Sequence, residues 1–232
     1  MQQYSEKSDF VLSPHGVWLK KNWLDATFNF YCRDSYEPLL AEYLSAQTEN
    51  FSFIDIGANQ GLYSLIAAQN PACRKVLAFE PVKKTYHLLA KNIKANKGSK
   101  KIHSYRLAIS DKSQKTKISI KPGHSGAATL RKPFWSLFQR GQTIQTIGPE
   151  KLRSLQPTGS LIIKVDVEGH EDVVMNTLAQ AAYYKMTRAV FFEVNDRWSN
   201  AEKLIDLLRQ QGFTQFLRTK EGSKYDLLAT KK

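Results

Sequence analysis

Apolar residues follow two rhythms along this chain. Short, nearly unbroken runs predict buried strands at Phe51–Ile56, Lys75–Glu80, Lys101–Leu107, Ser160–Asp166, Arg188–Val194, Phe213–Thr219 and Tyr225–Ala229. Between them, apolar residues recur every three or four positions. Leu39, Leu40, Tyr43 and Leu44 predict a helix from Tyr36 to Ala46, capped by Asp34 or Ser35, and Tyr86, Leu89, Ala90 and Ile93 predict another from Lys83 to Asn96. Further helices are expected at Gln60–Ala68, Val167–Leu178 and Asn200–Gln211, with a turn or two at Pro149–Leu155. Strands alternating with helices predict an α/β fold on a mainly parallel sheet.

Two regions depart from that rhythm. Phe10–Leu12, Val17–Leu19 and Thr27–Tyr31 alternate as short strands around a Pro14–Gly16 turn, predicting a β appendage over residues 1–34 before a main domain at 35–232. Residues 114–147 form an insertion. A strand at Lys115–Ile120 is followed by a turn at Pro122–Gly126, a return at Ala127–Leu130, a loop carrying Pro133, Phe134, Trp135 and Phe138, and a strand at Thr143–Ile147. Insertions at the ligand edge of such sheets carry substrate contacts, though these aromatics also suit a satellite core.

The chemistry gathers at strand ends. Asp55-Ile-Gly-Ala-Asn-Gln-Gly61 joins the first buried strand to its helix. Glycines there admit close backbone approach. A dinucleotide site requires a third glycine where Asn59 stands, and Asp55 would repel a pyrophosphate. The turn suits a cationic ligand without phosphate, such as S-adenosylmethionine. Glu80 ends the second strand, where an acid accepts from ribose hydroxyls. Ala108-Ile-Ser-Asp111 lies past the third, with Asp111 either at an adenine edge or in a plain turn.

Asp166, Glu168 and His170 follow the fourth strand, and Glu193 lies near the end of the fifth. These four are the candidate catalytic groups for removing a proton, with Asp166 first, directly or through a bound divalent ion. Glu168 and Glu171 are equally explained as acids favoured in a helix's first turn. His124, in the insertion, is a weaker candidate base, and Lys164, within a buried strand, reads as structural.

Composition adds one asymmetry. The net charge is +13, but residues 74–140 alone hold 17 Lys or Arg against two acids, Glu80 and Asp111. That excess fits an anionic saccharide, a membrane surface or nucleic acid, or simply a solvated lysine-rich face. No aromatic ladder accompanies it, which argues against nucleic acid. No apolar run reaches the roughly 20 residues that span a bilayer. Cys32 and Cys73 stand in no metal or redox spacing, and with the polar start of the chain this predicts a reducing, cytoplasmic location.

Taken in order, Asp55–Ser64, Ala78-Phe-Glu-Pro81, Ala108–Asp111 and Ile163-Lys-Val-Asp-Val-Glu-Gly-His-Glu171 resemble the FkbM family of S-adenosylmethionine-dependent methyltransferases over roughly residues 35–218. The resemblance implies a Rossmann-like class I methyltransferase fold, with seven mostly parallel strands, the last antiparallel, and helices on both faces. It implies O-methylation of a saccharide or related small-molecule hydroxyl. Asp55, Gly57, Asn59 and Gly61 would surround the methionine half of the cofactor, Glu80 the ribose, Ala108 and Asp111 the adenine, and Asp166 the transferable methyl. Tyr36 and Glu37 would cover the cofactor. A nucleic-acid methyltransferase and a non-catalytic binding module are the rival readings.

Overall fold

The strand Phe51–Ile56 is buried at all six positions, as only a central strand can be. Its side chains alternate between two cores. Phe51 and Phe53 join one apolar cluster, and Ile54 and Ile56 join the other. The computed structural model describes residues 6–7, 9–33, 38–130, 140–196 and 201–231. The predicted cap at Asp34 or Ser35, the residues Tyr36 and Glu37, and the aromatics of 133–138 lie outside them.

In chain order the elements are β1 (Glu6–Lys7), β2 (Phe10–Leu12), β3 (Trp18–Lys20), α1 (Ala26–Tyr31), α2 (Pro38–Ser45), β4 (Phe51–Ile56), α3 (Leu62–Gln69), β5 (Cys73–Phe79), α4 (Lys83–Ala95) and β6 (Ile102–Tyr105). Then come β7 (Ala108–Ile109), β8 (Lys115–Ile120), β9 (Arg140–Ile147), α5 (Pro149–Leu152), β10 (Ser160–Val165), α6 (Glu171–Leu178), β11 (Thr187–Asn195), α7 (Ala201–Gln210), β12 (Gln215–Arg218) and β13 (Lys224–Thr230).

Seven strands form the main sheet in the order β12-β13-β11-β10-β4-β5-β6. Only β13 runs antiparallel, to both of its neighbours. The cluster on one face takes residues from α2, α3 and α4, and the other takes residues from α5, α6 and α7. This is the Rossmann-like class I methyltransferase architecture, with helices on both faces. No helix among the described residues is long and apolar enough to cross a membrane.

Two expectations fail locally. Thr27–Tyr31 is not a strand but belongs to helix α1. Asp25 caps it by accepting from the Phe28 N–H, and the buried positions Thr27, Phe28 and Tyr31 follow a helical spacing. A five-residue run of β-prone residues carries too few positions to separate the two periods. Helix α6 also begins later than expected, at Glu171, because Glu168 (φ 51°) and Gly169 (φ 95°) are left-handed and cannot continue a right-handed helix.

The front β1-β2-β3 sheet is fastened to α4 by two buried asparagines. Asn92 accepts from the Lys20 N–H, and Asn96 exchanges two hydrogen bonds with the Trp18 backbone. Val11, Val17 and Leu19 share the core cluster of α2 and α3. In the insertion, β8 and β9 form an antiparallel hairpin, and β7 adds in parallel to β9. Thr129 pairs back onto Ser119.

Candidate active site

The turn between β4 and α3 lies against the end of β10. A Cβ on Gly57 (φ 76°) would sit 1.9 Å from the Asp166 carbonyl oxygen, so only glycine fits. Asn59 is also left-handed, at φ 51°. Its N–H donates to Glu80 (3.0 Å), whose other carboxylate oxygen accepts from the Val82 N–H (2.8 Å). Glu80 is nearly sealed, and burial pushes its carboxyl up to about 7 against these two hydrogen bonds. Gly61 opens helix α3.

Asp55 lies beneath this turn rather than on the cleft wall. It is 1 % exposed, accepts from Ser64 Oγ at 2.6 Å, and pairs with Lys164 Nζ at 3.5 Å. Lys164 also donates to the Gly57 carbonyl at 3.1 Å and lies 3.4 Å from Asp166. One buried ammonium thus ties the first motif to the last. The parallel register sets Lys164 opposite Asp55, and strand alternation puts Lys164 and Asp166 on one side.

Between these motifs runs a cleft with about 600 Å³ of open space, part of it continuous with solvent. Phe79, Leu107, Ala108 and Ile109 make one part of it apolar. Gly57, Asn59, Glu80, Asp166 and Glu168 make another part polar. Ile118, Ser125, Gly126, Ala128 and Leu130 of the insertion complete the wall. Among the described residues, three carboxyl groups line this space and no Lys or Arg does. That charge balance fits a sulfonium-bearing ligand and disfavours a phosphate-bearing one. Gly61 and Asp111 are not in the lining. Asp111 is exposed and accepts from Ser110 Oγ at 3.1 Å.

At the end of β10, carboxylate oxygens of Asp166, Glu168 and Glu193 all lie within 4.8 Å of one another. His170 is not in this group. Its Nε2 lies 3.0 Å from Ser110 Oγ, and burial, only partly opposed by Asp111, lowers its pKa and keeps the ring neutral. The oxygen set is instead compensated by Lys224, 2.7 Å from Glu193 and 3.8 Å from Glu168. Burial, then the charges of Asp166 and Glu168, push Glu193 up to about 9. Burial and Asp166 push Glu168 up to about 7. Burial opposes the charge of Lys224, but its hydrogen bond to Glu193 holds the ammonium above its ordinary range. Glu171 sits below, accepting from the Val167 and Gly169 N–H groups, and burial raises its pKa.

Sequence reasoning grouped Asp166, Glu168, His170 and Glu193; the structure brings the three carboxylates together, sets His170 apart, and adds Lys224, which that reasoning missed. No local motif marks it. It arrives because β13 inserts antiparallel beside β11, pairing Lys224 with Asn195. Lys164, read from the sequence as structural, is buried and ties Asp55, Gly57 and Asp166 together.

The comparisons with known proteins agree with this geometry. Residues 55–214 match the model of the methyltransferase FkbM domain. The crystal structure of a methyltransferase FkbM from Methylobacillus flagellatus KT superposes with a TM-score of 0.52 at 15 % identity, over 88 % of this chain and 52 % of that one. The METTL16 methyltransferase domain gives 0.53 at 15 % identity, over 94 % and 74 %. In sequence, the chain is 27 % identical over 207 residues to the AMB antimetabolite synthetase AmbE of Pseudomonas aeruginosa, which covers 71 % of this chain. The chain spans only about a tenth of that protein's length. With the match covering most of the chain and the motifs placed around one cleft, this protein belongs to the FkbM family of S-adenosylmethionine-dependent methyltransferases.

Proposed function

We propose that the protein is an O-methyltransferase acting on a hydroxyl of a saccharide, glycoconjugate or related small molecule. The observation that carries this is the placement of Asp166 and Glu168, beside the Gly57 turn, on the wall of a cleft whose described lining holds no Lys or Arg. A hydroxyl needs a proton acceptor as its oxygen becomes a nucleophile, and these carboxylates supply one. The likeness to a segment of an antimetabolite synthetase supports a small-molecule acceptor.

S-adenosylmethionine, when bound, supplies an electrophilic methyl group on a sulfonium. Gly57 and Asn59 present the bare turn to its methionine half, with Gly61 setting the start of α3 and Asp55 fixing the turn from below through Ser64 and Lys164. Glu80 would accept from the ribose. Phe79, Ala108 and Ile109 would enclose the adenine, with His170, held by Ser110, beside it. Asp166 takes the proton of the acceptor hydroxyl. Burial and the charge of Asp166 favour the neutral form of Glu168, against the opposing charge of Lys224. The Lys224 ammonium already serves two of the three carboxylates, Glu193 at 2.7 Å and Glu168 at 3.8 Å, and Asp166 acts without a divalent ion in this reading. The reading places the enzyme in the cytoplasm, where its two buried free thiols stay reduced.

The test is transfer of label from methyl-labelled S-adenosylmethionine to a panel of free sugars, nucleotide sugars and polyketide alcohols, with total RNA alongside, before and after exhaustive dialysis against chelator. Label on a hydroxyl of a small acceptor, surviving dialysis, is expected. Label only on RNA overturns the acceptor class. Activity lost with chelator and restored by a divalent ion overturns the metal-free reading.

A further inference from the structure

We propose that a second cavity, which shares Val82 and Ser125 as a wall with the cofactor cleft, binds a phosphate-bearing group. It lies between the start of α4, the loop before α1 and the turn of the insertion, with about 1050 Å³ of open space. Lys84 and Lys121 both line it, and neither has an ion-pair partner among the described residues. The inference goes beyond the choice of methylated hydroxyl, since it concerns an anion rather than the acceptor oxygen.

The one carboxylate among the described residues of this wall is already used. Asp25 is 7 % exposed. Its Oδ1 accepts from the Phe28 N–H (3.0 Å), Gln60 Nε2 (3.0 Å) and Ser125 Oγ (2.9 Å), and its Oδ2 from the Ser125 N–H (2.8 Å). It offers little to neutralise the lysines. Helix α4 adds to the positive field. It opens on Val82, which makes no side-chain cap, and its first turn holds Lys83 and Lys84 with no acid. Cations at that end oppose the helix dipole, whereas an anion would satisfy both the dipole and the lysines. His124 also lines the groove. Its Nδ1 is sealed from solvent without a partner, which leaves Nε2 as the nitrogen able to donate.

Leu88, Ile120 and Pro122 give the groove apolar walls, so it suits an anion attached to a larger body rather than a free ion. Two ammonium groups, one of them at a helix start, match the three oxygens of a phosphate better than a single carboxylate. The phosphate can come from a soluble phosphosugar or from a lipid headgroup. Trp23 and Leu24, 52 % and 93 % exposed, lie in the adjoining loop and would meet a membrane in the second case.

The probe for the first source is glucose 1-phosphate, titrated into the full chain while the His124 ring resonances are followed, with glucose as the uncharged control. Vesicles of phosphatidylglycerol, against phosphatidylcholine, probe the second. The K84Q/K121Q double variant should bind the effective probe at least about tenfold more weakly, since both charge-assisted contacts are lost. Its affinity for S-adenosylmethionine, measured by calorimetry, should stay within about twofold, which separates a failed groove from a failed cofactor site. If the double variant does not fold, Lys121→Gln alone, on an exposed turn, serves with the same readout. Saturable binding to either probe that is weakened in the variant supports the groove and names its source. No saturable binding to either, or equal affinity in the variant, overturns it.

Discussion

The two cavities that meet at Val82 and Ser125 have opposite charge, and they handle it differently. The cofactor cleft is lined by acids, and the fold compensates each of them from behind. Glu80 accepts backbone N–H groups, Asp166 faces the buried Lys164, and Glu168 and Glu193 face Lys224. The groove is lined by Lys84 and Lys121, and nothing described compensates them. A site whose charges are fixed by the fold is preorganised for one ligand. A site whose charges are left bare takes its compensation from whatever anion arrives. On the proposed reading, the chemistry belongs to the first cavity and an auxiliary binding role to the second.

The contrast breaks most visibly at Asp166. If the cleft alone carries the reaction, Asp166→Asn should cut turnover by about 10²–10⁴-fold, the usual worth of a positioned base. Affinity for S-adenosylmethionine should change by less than about threefold, because Asn keeps the shape and the Gly57 contact involves the Asp166 backbone. Single-turnover kinetics with calorimetry separates the two. Near-normal turnover would remove Asp166 from the chemistry.

Within the cleft, the cofactor half was far more legible than the acceptor half, and the reason is local. The Gly57 turn, Asn59 and Glu80 lie in stretches where a strand runs directly into a helix, so spacing along the chain fixes spacing in three dimensions. β4 was located residue for residue, and β8 likewise. Lys224 could not be found this way. Its neighbours Glu193 and Glu168 are far away in sequence, and only the antiparallel entry of β13 brings them together. His170 was grouped with Asp166 because they are close in sequence, yet the left-handed Glu168–Gly169 step aims it at Ser110. Asp25 fails for a related reason. A segment read as β hid a helix cap, and with it the clamp on Ser125.

A smaller effect should come from Glu80. Glu80→Gln keeps one acceptor but turns an amide donor toward the Asn59 or Val82 N–H. Loss of charge-assisted acceptance should weaken S-adenosylmethionine by about 10–100-fold. Groove binding should be untouched, since Glu80 does not line it. Because burial holds the Glu80 carboxyl near 7, wild-type cofactor affinity should also fall as pH drops below that value, and the Gln variant should lose this dependence. Calorimetry across pH 5.5–8.5 reads both. A Gln variant with the same pH slope as wild type would assign the titration elsewhere.

The mildest test asks whether the cleft's acids are fully compensated from behind. Glu193 has two opposing influences. Lys224 at 2.7 Å favours its charged form, while burial and the carboxylates of Asp166 and Glu168 favour the neutral form. The neutral form wins here, because burial and two neighbouring carboxylates outweigh one half-exposed ammonium. The folded-state pKa then lies above the unfolded value, so the folded chain holds a proton that the unfolded chain has released. Stability from this group is complete below about pH 4.5 and declines as pH rises toward about 9. Glu193→Gln removes the titration and keeps an oxygen for Lys224. The variant should therefore melt with wild type near pH 5 and above it at pH 8–9. A single unit of surviving shift is worth about 1.4 kcal/mol, or ~3–6 °C in a chain of this size. If Lys224 instead held Glu193 charged, the sign would reverse and the variant would melt lower at every pH above 5. Melting curves of both proteins at pH 5, 7 and 9 decide between the two.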